Sequence, residues 1–378
     1  MKTIVHTCIK QPTSYLSHIS KSSARNSGFT LVELMIALVL GLLISAAALQ
    51  IFYTSSVNSR RQEASSQIQD NATFGLAQMQ KHIRRANYGA KPTATFDEYF
   101  MNHRTPQGGV VLTAPTGTPL VSGGAKNWLT DNLSGLVLDG AAISSEWLTQ
   151  NQSAKSKSNL DGIDNSDQLT IQYQAGSASM FDCEGAAIPE GFYVIERYFV
   201  RDAGLACASA IYNYEEDAAG KPAGIDIKNY TVPAVPAIPA VTTPPTAAAV
   251  PAVAAKVKSN NLTEDGTVII PNVDYFRVML GISSSTDFAT DPASARISYM
   301  PIPATVNTLN NQRIFGIQFG ILARSDNPTA TAQDNNALRF TILDKSNQSL
   351  NAATVSGPKN LRNVYESTVL IRNARGGL

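Results

Sequence analysis

The start of this chain lacks acid. No aspartate or glutamate precedes Glu33, whereas Lys2, Lys10, Lys21 and Arg25 all do. Proline is missing between Pro12 and Pro92, so nothing in that interval forces a helix to break. Histidine is limited to four residues, and beyond the first 28 positions only His82 and His103 could serve a Ser/His/Asp arrangement. His82 lies beside Lys81, Arg84 and Arg85 and reads as a solvated helix residue. No G-x-S-x-G, H-E-x-x-H, Walker or dinucleotide pattern occurs, so no enzyme, cofactor or metal centre is expected. The run Asp161-Gly162-Ile163-Asp164-Asn165-Ser166-Asp167 has neither the spacing nor the paired glutamate of a calcium loop; a turn into a strand at Leu169 is expected instead. With a net charge of +1 the chain carries no global basic field for nucleic acid.

What is present is one long apolar run, residues 28–53, GFTLVELMIALVLGLLISAAALQIFY. A bilayer span needs about 20 residues, and this run supplies them. The cations before it and the positive-inside rule place the amino terminus in the cytoplasm and the remaining chain outside. One carboxylate, Glu33, interrupts the run. An ionised side chain in a span costs roughly 2.5–3.5 kcal/mol on insertion scales, so Glu33 needs a partner or a task. An ordinary anchor would explain the length but not Glu33. A secretory signal cut after Ala46-Ala47-Ala48 would leave a carboxylate in its apolar core.

Gly28-Phe29-Thr30-Leu31-Val32-Glu33 before an apolar helix resembles the class III signal of type IV pilins and pseudopilins. The resemblance implies that a prepilin peptidase cuts between Gly28 and Phe29 and methylates Phe29, and that subunits polymerise through the helix. Glu33 would then stand one helical turn from a new ammonium group. At ~4 Å and an effective dielectric of ~20 the pair is worth about 4 kcal/mol before desolvation, which offsets part of it. Such a pair favours one axial offset between packed helices, while Gly41, Ser45 and Ala46 to Ala48 permit close approach. Removing residues 1–28 takes away four cations and no anions, so the net charge falls from +1 to −3 before the new amine is counted. Of three cysteines Cys8 leaves with the leader, and Cys183 and Cys207 remain as an even pair in an exported chain. A disulfide is expected, worth roughly 3 kcal/mol for a loop of ~25 residues.

The expected organisation is a cleaved leader at 1–28, a membrane and assembly helix at 29–53, its amphipathic continuation at 54–90, and a periplasmic α+β head at 91–378. Val57, Ala64, Ile68, Ala72, Leu76, Met79, Ile83 and Ala86 recur at helical spacing, predicting one helix from Phe29 to about Tyr88, ended by Gly89 and Pro92. Strand signals fall at 169–173, 192–200, 268–270, 275–280, 314–322, 338–343 and 368–371. They predict an antiparallel sheet laid on the second half of the helix. The Pro/Ala-rich insertion at 231–258 reads as an extended surface loop within the head.

The head adds a narrower resemblance. Asp182-Cys183 with Cys207, Glu196 to Val200, Val273 to Gly281, Gly320 to Ser325 and Tyr365 to Asn373 are similar to the larger minor pilins of the PilW type. This implies a protein that primes or enters type IV pili near the tip, supporting motility, adhesion or DNA uptake. The implied partners are the prepilin peptidase, other minor pilins, the major pilin, the assembly platform and a tip adhesin, with the inner membrane holding the chain before assembly. The alternatives are a type II secretion pseudopilin and, from another class, a membrane-anchored periplasmic enzyme or receptor.

Overall fold

The computed structural model describes residues 28–88, 109–112, 137–138, 141–142, 144–177, 179–216, 222–226, 230–232, 256–258, 262, 265–283, 296–304, 314–329 and 335–371. The chain divides into two units, Met1–Ser56 and Val57–Leu378. In the first, the helix α1 (Leu31–Ile83) begins, with every described residue through Thr54 and Ser55 exposed. In the second, the rest of α1 buries Ala64, Ile68, Ala72, Leu76, Met79 and Ile83. Their spacing of three and four residues draws one stripe along the helix, which is why this half packs against sheets.

The helix ends at Ile83, five residues short of the expected Tyr88. Its last turn tightens: Arg85 and Ala86 donate their N–H groups to His82 and Ile83 carbonyls, in three-residue steps. Asn87 then takes a positive φ of 61°, a conformation asparagine tolerates at helix ends, and its N–H leaves the helix for the Gln172 carbonyl. The sheet, rather than Gly89 or Pro92, stops the helix; those two lie outside the described residues.

Among the described residues the head has two principal antiparallel sheets where one was expected. The first orders β4 (Pro222–Asp226), β3 (Gly204–Glu216), β2 (Tyr193–Arg201) and β1 (Leu169–Gln174), with β5 (Thr267–Pro271) also pairing with the start of β3. The second orders β7 (Ile297–Pro301), β6 (Val273–Ser283), β8 (Ile314–Arg324) and β9 (Arg362–Leu370). Asn272, at a φ of 55°, forms the corner where the chain leaves β5 and enters β6. One core joins the helix stripe to both sheets: Ile68, Ala72, Leu76 and Met79 share it with Ile171, Tyr198, Leu205, Phe276, Ile317 and Val369. Burying a side chain of this size stabilises by roughly 1.5–3 kcal/mol, so the helix stripe is a major part of the head's own stability.

The Pro/Ala insertion lies largely outside the described residues. Its two ends, Tyr230–Val232 and Lys256–Lys258, pair as a short antiparallel ribbon.

Gly75 shows how closely helix and sheet approach. A Cβ there would sit 2.2 Å from Ile270 Cγ1 and 2.8 Å from the Ile269 carbonyl oxygen. Alanine would favour the helix by about 1 kcal/mol, but overpacking against a backbone atom costs about 1–3 kcal/mol. Gly75→Ala is therefore expected to lower the thermal midpoint of the head despite its better helix propensity, as measured by circular dichroism melting; an increase would contradict this packing.

Candidate functional site

The amino-terminal site is built from very few residues. Gly28, Phe29 and Thr30 precede the helix in irregular conformation, and Phe29 is 85% exposed. Leu31 opens α1, which places Thr30 at the N-cap and Glu33 at the third helical position. The two side chains exchange hydrogen bonds: the Glu33 N–H donates to Thr30 Oγ1 at 3.2 Å, and the Thr30 N–H and hydroxyl each donate to Glu33 Oε2 at 3.3 Å. This is a capping box, the T-x-x-E pattern in which cap and acid satisfy each other's backbone groups. The pattern was present in the sequence but hidden by the apolar run around it. At 3.2–3.3 Å these are long contacts, at or beyond the usual N–H···O range, and they hold the carboxylate loosely. An ammonium group at hydrogen-bonding distance would compete well for it, at about 4 kcal/mol before desolvation.

All sixteen large apolar residues from Phe29 to Tyr53 are exposed. The helix is long and apolar enough to cross a membrane, and none of its most apolar window is covered by the protein itself.

A second cluster sits inside the head and was not anticipated. Glu196, fully buried on β2, accepts at Oε1 from the Tyr173 hydroxyl (2.8 Å) and the Cys183 N–H (2.9 Å), and pairs there with His82 Nδ1 (2.9 Å). The Tyr198 hydroxyl donates to Oε2 at 2.7 Å. His82 is thus buried, at 5% exposure, and not a solvated helix residue as its basic neighbours suggested. Its place in the stripe three residues after Met79 was the available signal, and so was a lone acid at the middle of an apolar strand. Cys183 is joined to Cys207 on β3, with a Cα separation of 6.1 Å. The hairpin containing Cys183 also accepts a hydrogen bond at Phe181 O from Arg85 Nη1, at 2.6 Å. One carboxylate therefore ties together the end of α1, strands β1 and β2, and the disulfide hairpin.

By residue type Cys183, Glu196 and Cys207 could ligate a metal, and their ligand atoms lie within 4.8 Å of one another. With the sulfurs bonded to each other and Glu196 engaged by four groups, the set serves structure instead. The acidic run before Leu169 forms the turn of a hairpin at Asp161 and Gly162, while Asp167 turns inward to the guanidinium of Arg277 (3.1 Å) and the Val278 N–H (2.8 Å). That pair links the lead-in of the first sheet to the second. His103 lies outside the described residues.

Burial pushes the Glu196 carboxyl up, but the charge and hydrogen bond of His82 and the two tyrosine hydroxyls more than offset it, leaving the group below its ordinary value. Burial, followed by the Glu196 charge, pushes both tyrosine hydroxyls well above theirs. A carboxyl depressed by folding contributes stability that is present above its unfolded value near 4.5 and lost as pH falls through the folded value.

Two family models match the chain. The prokaryotic N-terminal methylation motif covers residues 23–49, and the type IV pilus-assembly protein W model covers residues 241–373. No curated protein matches. Among solved structures, a type IV-like pilin from Thermus thermophilus aligns over 57% of this chain and 83% of its own, with 12% identity and a TM-score of 0.23.

Removing the Glu196 charge strands the groups arranged around it. Glu196→Gln is expected to destabilise the head by about 3 kcal/mol, the usual cost of breaking a buried pair from one side. It should also flatten the loss of stability below about pH 4.5 relative to wild type, in chemical denaturation followed across pH. Unchanged stability would show that the hub does not hold the helix end. The methylation motif lies where the capped apolar helix begins, and the pilus-assembly model spans strands β5 to β9 of the head: at both its amino-terminal signal and its head the chain is similar to type IV pilins of the PilW type.

Proposed function

We propose that this protein is a minor pilin, cut between Gly28 and Phe29 by a prepilin peptidase, methylated at Phe29, and drawn from the inner membrane into a type IV pilus. The observation that carries this reading is a helix whose residues 31–55 are all exposed, and whose first turn holds one loosely capped acid. Lipid covers that helix before assembly, and neighbouring helices cover it afterwards. Before assembly the head, residues 57–378, stands in the periplasm, with the disulfide of Cys183 and Cys207 suited to that compartment.

Within the fibre Glu33 exchanges its contacts with Thr30 for the ammonium group at Phe29 of a neighbour or of its own chain, which sets the stagger. The match of the head to a pilus-assembly family favours a pilus over a secretion apparatus. The protein acts with other minor pilins, the major pilin and the assembly platform to prime the fibre, and it resides near the tip.

The role of Glu33 is separable from its capping. Glu33→Gln keeps a side chain that can cap but has no charge for an ammonium group, whereas Thr30→Ala breaks the capping box and keeps the carboxylate. In cells relying on this protein for assembly, Glu33→Gln is expected to lower its incorporation into sheared pili by about tenfold or more, with Thr30→Ala close to wild type. Normal incorporation of Glu33→Gln would overturn the assigned role.

A further inference from the structure

On the head, beside the first two turns of α1 that belong to it, lies a cleft of about 340 Å³. Arg60, Glu63 and Gln67 line it from the helix, and Asn327 and Thr329 from the segment that follows β8. The size is at the low end of small-molecule sites. The lining is unusual for a solvated helix face in two respects.

First, Arg60 and Glu63 stand three residues apart, close enough to pair on one face, yet neither has an ion-pair partner among the described residues. A cation and an anion border the same cleft without neutralising each other. Second, Thr329 is only 4% exposed, and its hydroxyl has no hydrogen-bond partner among the described residues. Its backbone is fixed, since the Thr329 N–H donates to the Lys359 carbonyl at 2.9 Å. A buried hydroxyl left unsatisfied costs about 1–3 kcal/mol, a deficit that a ligand oxygen would remove.

The arrangement calls for a ligand with a negative and a positive group a few atoms apart. Arg60 offers a planar fork of donors that suits phosphate, and the Thr329 hydroxyl adds another donor. Glu63 offers an acceptor for an ammonium group that can donate hydrogen bonds. Arg60 follows Tyr53, the last residue of the apolar run, by only seven residues of chain, which keeps the cleft within reach of the outer headgroups when that run is in lipid.

We infer that this cleft binds a phosphoethanolamine group, with phosphate on Arg60 and Thr329 and the primary ammonium on Glu63. The source is the headgroup of a phosphatidylethanolamine in the leaflet facing the head, or the same group free in solution. The inference rests on the membrane-held stage of the proposed function. A bound headgroup would hold the head against the bilayer until the subunit is extracted.

The test uses the full chain in nanodiscs of phosphatidylethanolamine, phosphatidylcholine or phosphatidylglycerol, with native mass spectrometry reading retained lipid. A second arm titrates free phosphoethanolamine into the detergent-solubilised protein. Phosphatidylethanolamine should be retained about tenfold over phosphatidylcholine, whose quaternary ammonium cannot donate to Glu63. Arg60→Gln should abolish retention, and Glu63→Gln should erase the preference over phosphatidylcholine and phosphatidylglycerol. Both residues are exposed, so matching circular dichroism melts will show that the variants fold. Saturation by free phosphoethanolamine, lost in the same variants, would support the site and identify the soluble source. Equal retention of the three lipids together with no response to the free compound would overturn the inference. If that happened while the chain still entered pili, the site would fall and the pilin reading would stand.

Discussion

Everything else in the molecule depends on apolar surface that the chain cannot cover by itself. Sixteen large hydrophobic side chains between Phe29 and Tyr53 are exposed. At roughly 1.5–3 kcal/mol each, leaving them in water would cost roughly 25–50 kcal/mol, far more than the ~5–15 kcal/mol that holds a typical domain folded. The segment therefore exists only in lipid or against other helices. Such a segment has two environments that suit it, and the proposed function has the chain pass from one to the other. The acid at the start of the helix is expensive in lipid unless neutralised, which is why the proposal assigns it the contact that changes between them.

The head solves a different problem, which is to hold the second half of the same helix in one position. An apolar stripe does most of this, and Gly75 lets β5 approach until a side chain could not fit between. The polar hub adds direction to the grip. Apolar packing alone would tolerate a slide or a small rotation, whereas four partners converging on the Glu196 carboxylate accept one placement of His82. The disulfide hairpin is part of that hub, since the Cys183 N–H is one of the four. Asp167 and Arg277 repeat the device between the lead-in to β1 and the second sheet.

How much of this the sequence disclosed depended on whether the signal was periodic. The long helix, its buried stripe and most central strands repeat at 3.6 or 2 residues and were legible. The strand β3 was not, because Gly204, Ala206, Ala208 and Ala210 have little β propensity; it is a strand because β2 lies beside it along nine paired positions. The end of the helix was misplaced by five residues because the Asn87 N–H is captured by β1, a tertiary event with no local mark. The division into two sheets turns on the corner at Asn272, between two strand signals that nothing local assigns to different sheets. His82 was masked by the basic residues beside it, and Glu196 by its place in a motif. The capping box was in plain view, yet the lone acid drew attention to itself and away from Thr30.

The central claim is that this helix begins at a new amine rather than at an encoded start. Mass spectrometry of the amino-terminal peptide, taken from the protein recovered in sheared pili, reads this directly. The account predicts a peptide starting at Phe29 and carrying one added methyl group. A peptide starting at Leu49, or one that retains residues before Phe29, would contradict it.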